Sequence, residues 1–315
     1  MLGYIFRRLL ALPPLLFFVS FIIFGLTLLA PGDPARTILG THATQHEVGL
    51  LRHKLWLDRS FVSQYWHWLT NALHGDLGNS WFSQTENVRT EIWHRFPVTF
   101  GMALGALVVT ILVGVPMGII AGTRPQSLRD RGVTAFSAAA ISAPDFWVAI
   151  MLVVVLAVQH QYLPSRGYVS FTTSPIRWYK HLVMPWLAMG IPGAASFSRQ
   201  LRGALIDSME QDYIRTARAK GLSSRRVVLK HALKNASIAP VTVLGLQFAY
   251  TLGGTVVLER IFNLPGLGQY FFQGLSVKNL PVIQGVILVV AVTFIVINLF
   301  VDVVYAYLNP KVRFG

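Results

Sequence analysis

The stretch that most constrains this chain is DYIRTARAKGLSSRRVVLKHALKNAS, residues 212–237, a basic insertion between two long apolar segments. Acidic residues open it and basic residues follow, which is the order of charge that suits a helix dipole. Gly221 then stands where a residue in the left-handed conformation would end a helix. The sequence therefore predicts a short helix that stops at Gly221.

A second helix is predicted after this glycine. Ser223 or Ser224 supplies its cap, and basic first turns lead into an apolar run that begins near Ile238. Ala217 and Ala219 keep part of the first helix small, so the groove of a partner protein can approach its backbone closely. Composition alone has another interpretation, that of an ordinary cytoplasmic loop, because the cytoplasmic loops of membrane proteins are commonly basic.

The segment DYIRTARAKGL, followed by a basic helix, resembles the EAA loop of the membrane subunits of binding-protein-dependent ABC importers. The ARAKGL form is typical of the B-type subunits of dipeptide and oligopeptide permeases, and the resemblance extends over nearly the whole chain. It implies an all-α polytopic membrane protein with six transmembrane helices and the type I ABC importer permease fold. The chain departs from the general pattern at Arg215 and Lys234, where other branches have a glutamate and a proline.

In that family the loop forms a coupling helix that sits in a cleft of a cytoplasmic ATPase, and its glycine corresponds to Gly221. The resemblance implies that the chain is not itself an enzyme and binds no cofactor or metal, with ATP and Mg²⁺ held by partner subunits. The residues expected to contact the ATPase are Asp212, Tyr213, Arg215, Thr216, Ala217, Arg218, Ala219, Lys220, Gly221 and Leu222. The other expected partners are a second homologous permease subunit, two ATPase subunits or domains, an extracytoplasmic peptide-binding protein, the peptide and membrane lipid.

The composition of the 315 residues indicates an integral membrane protein. Hydrophobic residues make up 53% of the chain and the mean hydropathy is +0.53, which is too apolar for a domain that keeps a polar surface. The net charge of +14 does not indicate nucleic-acid binding, because the basic residues are spread through loops between apolar runs. The absence of cysteine excludes disulfides, zinc thiolates and cysteine nucleophiles.

Six apolar runs are long enough to cross a bilayer, and they cover residues 9–30, 98–123, 133–160, 182–203, 236–258 and 282–308. Roughly 16 basic residues lie in the segments assigned to the inside, against roughly 11 in the longer outside loops. The six runs and this asymmetry predict a multi-pass protein with both termini in the cytoplasm, and the resemblance implies that its membrane is the bacterial cytoplasmic membrane. The first run is interpreted as an uncleaved helix, because no small-residue cleavage site closes it.

Three regions are expected: an N-terminal transmembrane helix at 1–31, an extracytoplasmic loop at 32–97, and a five-helix permease core at 98–315 with its coupling loop at about 204–235. The outer loop contains apolar residues at helical spacing, namely Val62, Tyr65, Trp66, Leu69 and Leu73. This spacing predicts an amphipathic helix that lies on the lipid interface or packs over the helix bundle.

Two intramembrane acids and a set of histidines are the remaining candidates for chemistry. Pro144 is predicted to bend the third span, and Asp145 either caps the freed backbone groups or contacts substrate. Asp302 is expected to pair with a cytoplasmic arginine near the inner end of the sixth span. The histidines match no compact metal signature, which favours interfacial residues without a metal. They are His42, His46, His53, His67, His74 and His94.

A further segment, FNLPGLGQYF at residues 262–271, predicts a re-entrant turn or a short helix before the last span. The sequence contains no phosphate-binding loop, nucleophile elbow or zinc-protease motif. The leading hypothesis is a permease subunit that forms half of the translocation path of an ATP-driven importer for dipeptides or oligopeptides. The alternative is an ion-coupled secondary transporter, which would place its ionisable pairs and broken helices at mid-membrane. The residues that bind substrate are not predicted.

Overall fold

The computed structural model describes residues 2–28, 33–40, 42–83 and 85–308. Within these ranges the chain is helical, and its only β pairing is an isolated bridge between Asn79 and Asn87. Residues 29–30, the predicted end of the first span, and the C-terminal residues 309–315 lie outside the described ranges.

The helices are α1 (Leu2–Leu28), α2 (Pro34–Leu39), α3 (Gln45–Lys54), α4 (Phe61–Leu73), α5 (Val88–Thr123), α6 (Leu128–Ser142), α7 (Asp145–Leu152), α8 (Pro175–Met209), α9 (Asp212–Ala219), α10 (Ser224–Arg226), α11 (Leu233–Ala236), α12 (Ile238–Ile261), α13 (Leu267–Ser276) and α14 (Leu280–Leu308). Two π-helical stretches, Val153–Gln159 and Val227–Ala232, follow α7 and α10 directly.

Four helical segments of the described chain are long and apolar enough to cross a membrane: Leu10–Thr27, Val88–Thr123, Pro240–Ile261 and Leu280–Val304. A fifth candidate is the pair Leu128–Ser142 and Asp145–Gln159, which is bent by 98°. The break falls at Ala143 and Pro144, and Pro144 occupies the N-cap position of α7. The predicted bend at Pro144 is therefore confirmed, since proline has no backbone N–H for a continuous helix.

The fourth predicted span, 182–203, lies within α8 and is not among these candidates, so the count of six spans stays a prediction. α8 is 35 residues long and carries Pro185 and Pro192 inside it. Its buried residues pack against α6, α7 and α12. Because α8 packs against other helices, it needs little surface that suits lipid. This explains why α8 is less apolar than the candidate spans.

Glycines of α5 allow this helix to approach α8 closely. A Cβ added at Gly105 would lie 2.0 Å from the Trp186 ring, and one added at Gly118 would lie 2.9 Å from Leu201. The Trp186 indole Nε1 also donates to the Gly101 carbonyl at 3.0 Å. Small residues and an interhelical hydrogen bond are the usual means of joining helices in a membrane.

Contacts within the chain divide it into two compact units. The first contains residues 1–4, 100–264 and 296–315, and the second contains residues 5–99 and 265–295. This grouping follows contacts within the chain, whereas the three predicted regions follow the topology across the membrane.

In the second unit, α4 packs against α1 through aromatic rings. The Tyr65 ring lies 5.1 Å from Phe21 and 5.6 Å from Phe24, measured between ring centroids. Its hydroxyl is 2.9 Å from Ser20 Oγ, so the polar end of this 2%-exposed side chain is satisfied. Of the two placements that the sequence left open, packing against another helix is the one observed within this unit.

The amphipathic helix is confirmed, and part of its predicted apolar face, at Tyr65 and Trp66, packs on α1. Val62, Trp66 and Leu73 are exposed. The rings that contact α1 alongside Tyr65 are Trp66, 6.2 Å from Phe17, Phe61, 5.2 Å from Phe21, and Trp68, 5.6 Å from Phe24. The spacing of the apolar residues predicted the helix. It did not identify every ring that packs on α1, because aromatic residues lie on more than one side of the helix.

The other core of this unit joins α13 to the beginnings of α5 and α14 through Val88, Ile92, Leu267, Tyr270, Val282 and Val286. We call residues 267–276, which form α13, the outer segment; it confirms the predicted short helix before the last span. Tyr270 donates a 2.6 Å hydrogen bond to Glu86 Oε1, and the Leu267 N–H donates to Thr99 Oγ1 at 2.8 Å. Burial raises the pKa of Tyr270, and the Glu86 carboxylate raises it further.

Candidate coupling site

We call residues 212–222 the coupling segment, and they begin with α9. Its inner side is held by Ile214 and Ala217, which are 0% and 6% exposed. They belong to a buried cluster with Phe197, Leu201, Leu205, Val227, Ala232 and Ala236. Full burial of an isoleucine side chain stabilises a fold by about 1.5–3 kcal/mol, so this contact fixes α9 on the end of α8.

The coupling segment ends in a Schellman motif. Gly221 has φ +75°, the left-handed conformation that glycine adopts without a Cβ penalty. The Gly221 N–H donates to the Arg218 carbonyl at 2.9 Å, and the Leu222 N–H donates to the Ala217 carbonyl at 3.4 Å. The predicted stop at Gly221 is thus confirmed, and it turns the chain towards α10.

The outer side of the coupling segment is exposed and charged. Asp212 and Arg215 form an ion pair of 3.3 Å whose side chains are 93% and 76% exposed. Arg218 and Lys220 are exposed as well, and neither forms a salt bridge to any described residue. Such exposed pairs add little stability, so the charges of this surface remain available to a partner.

Ala217 corrects one expectation from the sequence. Ala217 and Ala219 were expected to let a partner approach the helix backbone, but Ala217 packs inside the cluster of its own chain. Only Ala219 is exposed. The small size of Ala217 therefore serves the close approach of α9 to its own chain.

Two polar contacts attach the coupling segment further. The Tyr213 hydroxyl is 2.6 Å from Ser208 Oγ, and Ser208 Oγ in turn donates to the Ala232 carbonyl at 3.2 Å. Ser223 occupies the N-cap position of α10, as predicted, although its side chain makes no capping hydrogen bond. The apolar run begins as α12 at Ile238, also as predicted.

Sequence reasoning missed an ion pair beneath this region. The Arg202 guanidinium of α8 donates twice to the Asp130 carboxylate of α6, at 2.5 and 2.8 Å. Asp130 is 3% exposed and also accepts from the Gln126 N–H at 2.8 Å. Residues 72 positions apart cannot be paired from their spacing; the only available signal was an acid at the start of a span.

Asp145, the other acid weighed in the sequence, is the first residue of α7 and is exposed on the chain. Its side chain forms no hydrogen bond to any described residue, so the predicted role as a cap is not observed there. Asp302 has an interaction within the chain, and its pairing with an arginine stays a prediction.

The described residues contain no group of three or more histidine, cysteine, aspartate or glutamate side chains arranged to hold a metal ion. The outer-loop histidines make local contacts instead. His53 Nδ1 lies 2.7 Å from the Asp58 carboxylate, and His74 Nδ1 lies 2.7 Å from the Thr70 carbonyl.

Comparison with known families decides what kind of protein carries this site. The family described as "Binding-protein-dependent transport system inner membrane component" matches residues 114–314. The N-terminal family of the same membrane components matches residues 1–103. The chain belongs to this family. The permease is thus a subunit of a binding-protein-dependent ABC importer, and the alternative of an ion-coupled secondary transporter is set aside.

The permease is similar over its full length to curated relatives. The glutathione transport system permease proteins GsiC of Escherichia coli (strain K12) and Shigella dysenteriae serotype 1 (strain Sd197) are each 40% identical to it over 314 residues, with 100% of both chains covered.

Solved structures show the same fold. Two inward-facing crystal forms of the MetNI methionine ABC transporter have TM-scores of 0.54 and 0.56 to the permease, at 19% and 18% sequence identity. They cover 69% and 70% of the permease, and 96% and 97% of the chains compared. The permease is therefore an all-α polytopic membrane protein with the ABC importer permease fold.

Proposed function

We propose that the permease imports dipeptides or oligopeptides on ATP that a partner ATPase hydrolyses, and that it forms half of the translocation path. The observation that carries the proposal is the coupling segment. Its inner side is buried at Ile214, its end is fixed by the turn at Gly221, and its outer charged side chains are exposed and add little stability to the chain. A rigid helix with one anchored side and one exposed charged side is suited to transmit movement from a docked protein.

The proposed contacts with the ATPase are the exposed members of the predicted set, with ATP and Mg²⁺ bound by that partner. These residues are Asp212, Tyr213, Arg215, Thr216, Arg218, Ala219, Lys220 and Gly221. Ala217 and Leu222 take part by holding the helix and its terminal turn in place. Because the sequence has no phosphate-binding loop, the isolated permease should not hydrolyse ATP.

The substrate proposal rests on the ARAKGL form of the coupling segment and on the similarity to glutathione permeases. We expect short peptides, with the tripeptide glutathione as the first substrate to test. The test is uptake of labelled glutathione and dipeptides into proteoliposomes that contain the assembled importer and its binding protein. ATP-dependent uptake is expected. Uptake driven by an ion gradient without ATP, or ATP hydrolysis by the permease alone at the rate of the complex, would contradict the proposal.

Asp145 is the proposed contact with substrate inside the membrane. An ionisable side chain within a spanning segment is costly unless it has a function, and a carboxylate can bind the ammonium group of a peptide. Asp145→Asn should lower glutathione uptake by about tenfold, the effect of losing one charged hydrogen bond. Asp207→Asn, an exposed carboxylate outside the predicted spans and outside the coupling segment, is the control for substrate binding. Unchanged uptake by Asp145→Asn would contradict this role.

The proposed subunit composition rests on how much of the importer one permease chain can form. One coupling segment engages one ATPase, and a few helices enclose only part of a path wide enough for a peptide. We therefore propose a second, homologous permease subunit, two ATPase subunits or domains, and an extracytoplasmic peptide-binding protein. The mass of the complex in mild detergent tests this, and two copies of the permease without a second type would overturn the heteromeric pairing.

The proposed orientation has both termini in the cytoplasm, which follows from the distribution of basic residues. A fluorescent protein that folds only in the cytoplasm, fused to either terminus, should fluoresce. A dark fusion that is present at normal abundance would contradict this orientation.

A further inference from the structure

A cleft of about 500 Å³ lies in the first unit between the end of α5, the end of α8 and the residues that follow α9. Three arginines line it: Arg124, Arg218 and Arg225. No acidic side chain lines it among the described residues. The cleft thus concentrates positive charge, and like charges so close together favour the binding of an anion.

The three guanidinium groups have no salt-bridge partner within the described ranges. This separates them from Arg202, which is neutralised by Asp130, and from Arg215, which is paired with Asp212. A guanidinium presents parallel N–H groups that match the oxygen atoms of a phosphate. The charge of the cleft therefore fits a phosphate group that comes from outside the chain.

The cleft is also lined by the apolar side chains of Ile119, Met209 and Leu229, which we call its apolar floor. Leu229 is 46% exposed, which leaves a hydrophobic surface beside the arginines. Contact with these apolar side chains would not strengthen the binding of a free phosphate. An amphiphilic ligand would cover both the basic rim and the apolar floor.

An exposed apolar stripe on α5 leads to this cleft. Val108 and Leu112 are each more than 40% exposed, and helical periodicity places them on the same side of α5 as Ile119, which lines the cleft. The stripe belongs to a candidate membrane span that ends at Thr123, directly before Arg124. The arginines therefore follow the end of a hydrophobic span, where the head groups of a bilayer begin.

We propose that this cleft binds the phosphate of an anionic phospholipid from the cytoplasmic leaflet, with the acyl chains along the exposed stripe of α5. An acidic side chain of an ATPase would match the charge of the arginines, but it would leave the apolar floor and stripe uncovered. A phospholipid covers both. Basic clefts beside membrane spans on the cytoplasmic side are suited to anionic head groups.

The test uses the assembled importer in phosphatidylcholine nanodiscs that contain phosphatidylglycerol, with bound lipid measured by native mass spectrometry. Arg124→Gln/Arg225→Gln removes two cleft charges and leaves Arg218, which lies on the coupling segment. The matched control, Arg129→Gln/Arg131→Gln, removes two exposed charges that do not line the cleft. Each cleft arginine should contribute about fivefold to affinity, so the cleft variant should bind phosphatidylglycerol about 25-fold more weakly. The control should bind it as the unchanged importer does.

Two further measurements distinguish a phospholipid from free inorganic phosphate as the ligand of the cleft. Inorganic phosphate in excess should not displace the lipid; displacement would make the cleft a free-anion site and overturn the proposal. A photoactivatable phosphatidylglycerol should label the unchanged importer near residues 119–124 and 224–229. The proposal is also overturned if both double variants retain lipid equally, or if the cleft variant loses the ATPase while its lipid binding is unchanged.

Discussion

The coupling segment and the outer segment are both short helices next to membrane spans, yet they use their polar groups differently. In the outer segment Tyr270 donates to Glu86, and the neighbouring Asn279 donates to Ser80 Oγ at 2.7 Å. In the coupling segment the one side-chain ion pair formed among the described residues, Asp212 with Arg215, is exposed to solvent. Polar groups satisfied inside the chain indicate a structural element, and charges left at the surface indicate a surface for a partner.

The largest expected effect concerns the support beneath the coupling segment. Arg202→Met leaves the buried Asp130 carboxylate without its partner, so the free energy of unfolding should fall by about 3–5 kcal/mol. Thermal unfolding of the detergent-solubilised permease measures this. Arg215→Met, which breaks an exposed pair, is the control. Equal stability of the two variants would show that Asp130 and Arg202 do not fix α6 on α8.

A smaller effect is expected in the outer segment. Tyr270→Phe removes a hydrogen bond to the Glu86 carboxylate, which should lower the free energy of unfolding by about 1.5–3 kcal/mol. Association with the ATPase should be unchanged. The comparison of the two segments would fail if Tyr270→Phe weakened ATPase association as strongly as changes in the coupling segment do.

Gly221→Ala tests the terminal turn of the coupling segment. A Cβ added at Gly221 meets no atom within 4 Å, so the cost comes from the backbone conformation at φ +75° and should be about 1–2 kcal/mol. Gly221→Pro adds the loss of the hydrogen bond to Arg218 and should abolish ATP-dependent uptake with the protein still in the membrane. Gly132→Ala, at an exposed helical position with open space, is the control. Normal uptake by Gly221→Pro would refute the role of the turn.

The smallest effect on stability is expected at the surface of the coupling segment. Exchange of Asp212 and Arg215 for asparagine and glutamine should change the free energy of unfolding by less than about 0.5 kcal/mol. The same double variant should weaken the association with the ATPase, measured by co-purification. Unfolding of this variant at a much lower temperature would mean that these residues act within the chain.

Local chemistry made part of the structure predictable. The stop at Gly221, the bend at Pro144 and the helix after Pro265 follow from residues whose backbone preferences act within one turn. The pairing of Asp130 with Arg202 and the burial of Ala217 depend on how distant helices pack. No sequence spacing determines these contacts, because the partners come from separate helices whose rotations the sequence does not define.

Site-specific crosslinking from the coupling segment tests the central claim most directly. The chain contains no cysteine, so a single introduced cysteine can carry a photoactivatable crosslinker without background. Ala219 is exposed, whereas Ala217, on the same helix, is 6% exposed and packs inside the chain. In the assembled importer, Ala219→Cys should crosslink to the ATPase with a yield that changes on addition of ATP, and Ala217→Cys should not. No crosslink from Ala219→Cys, or an equal yield from both positions, would contradict the docking of the ATPase on the coupling segment.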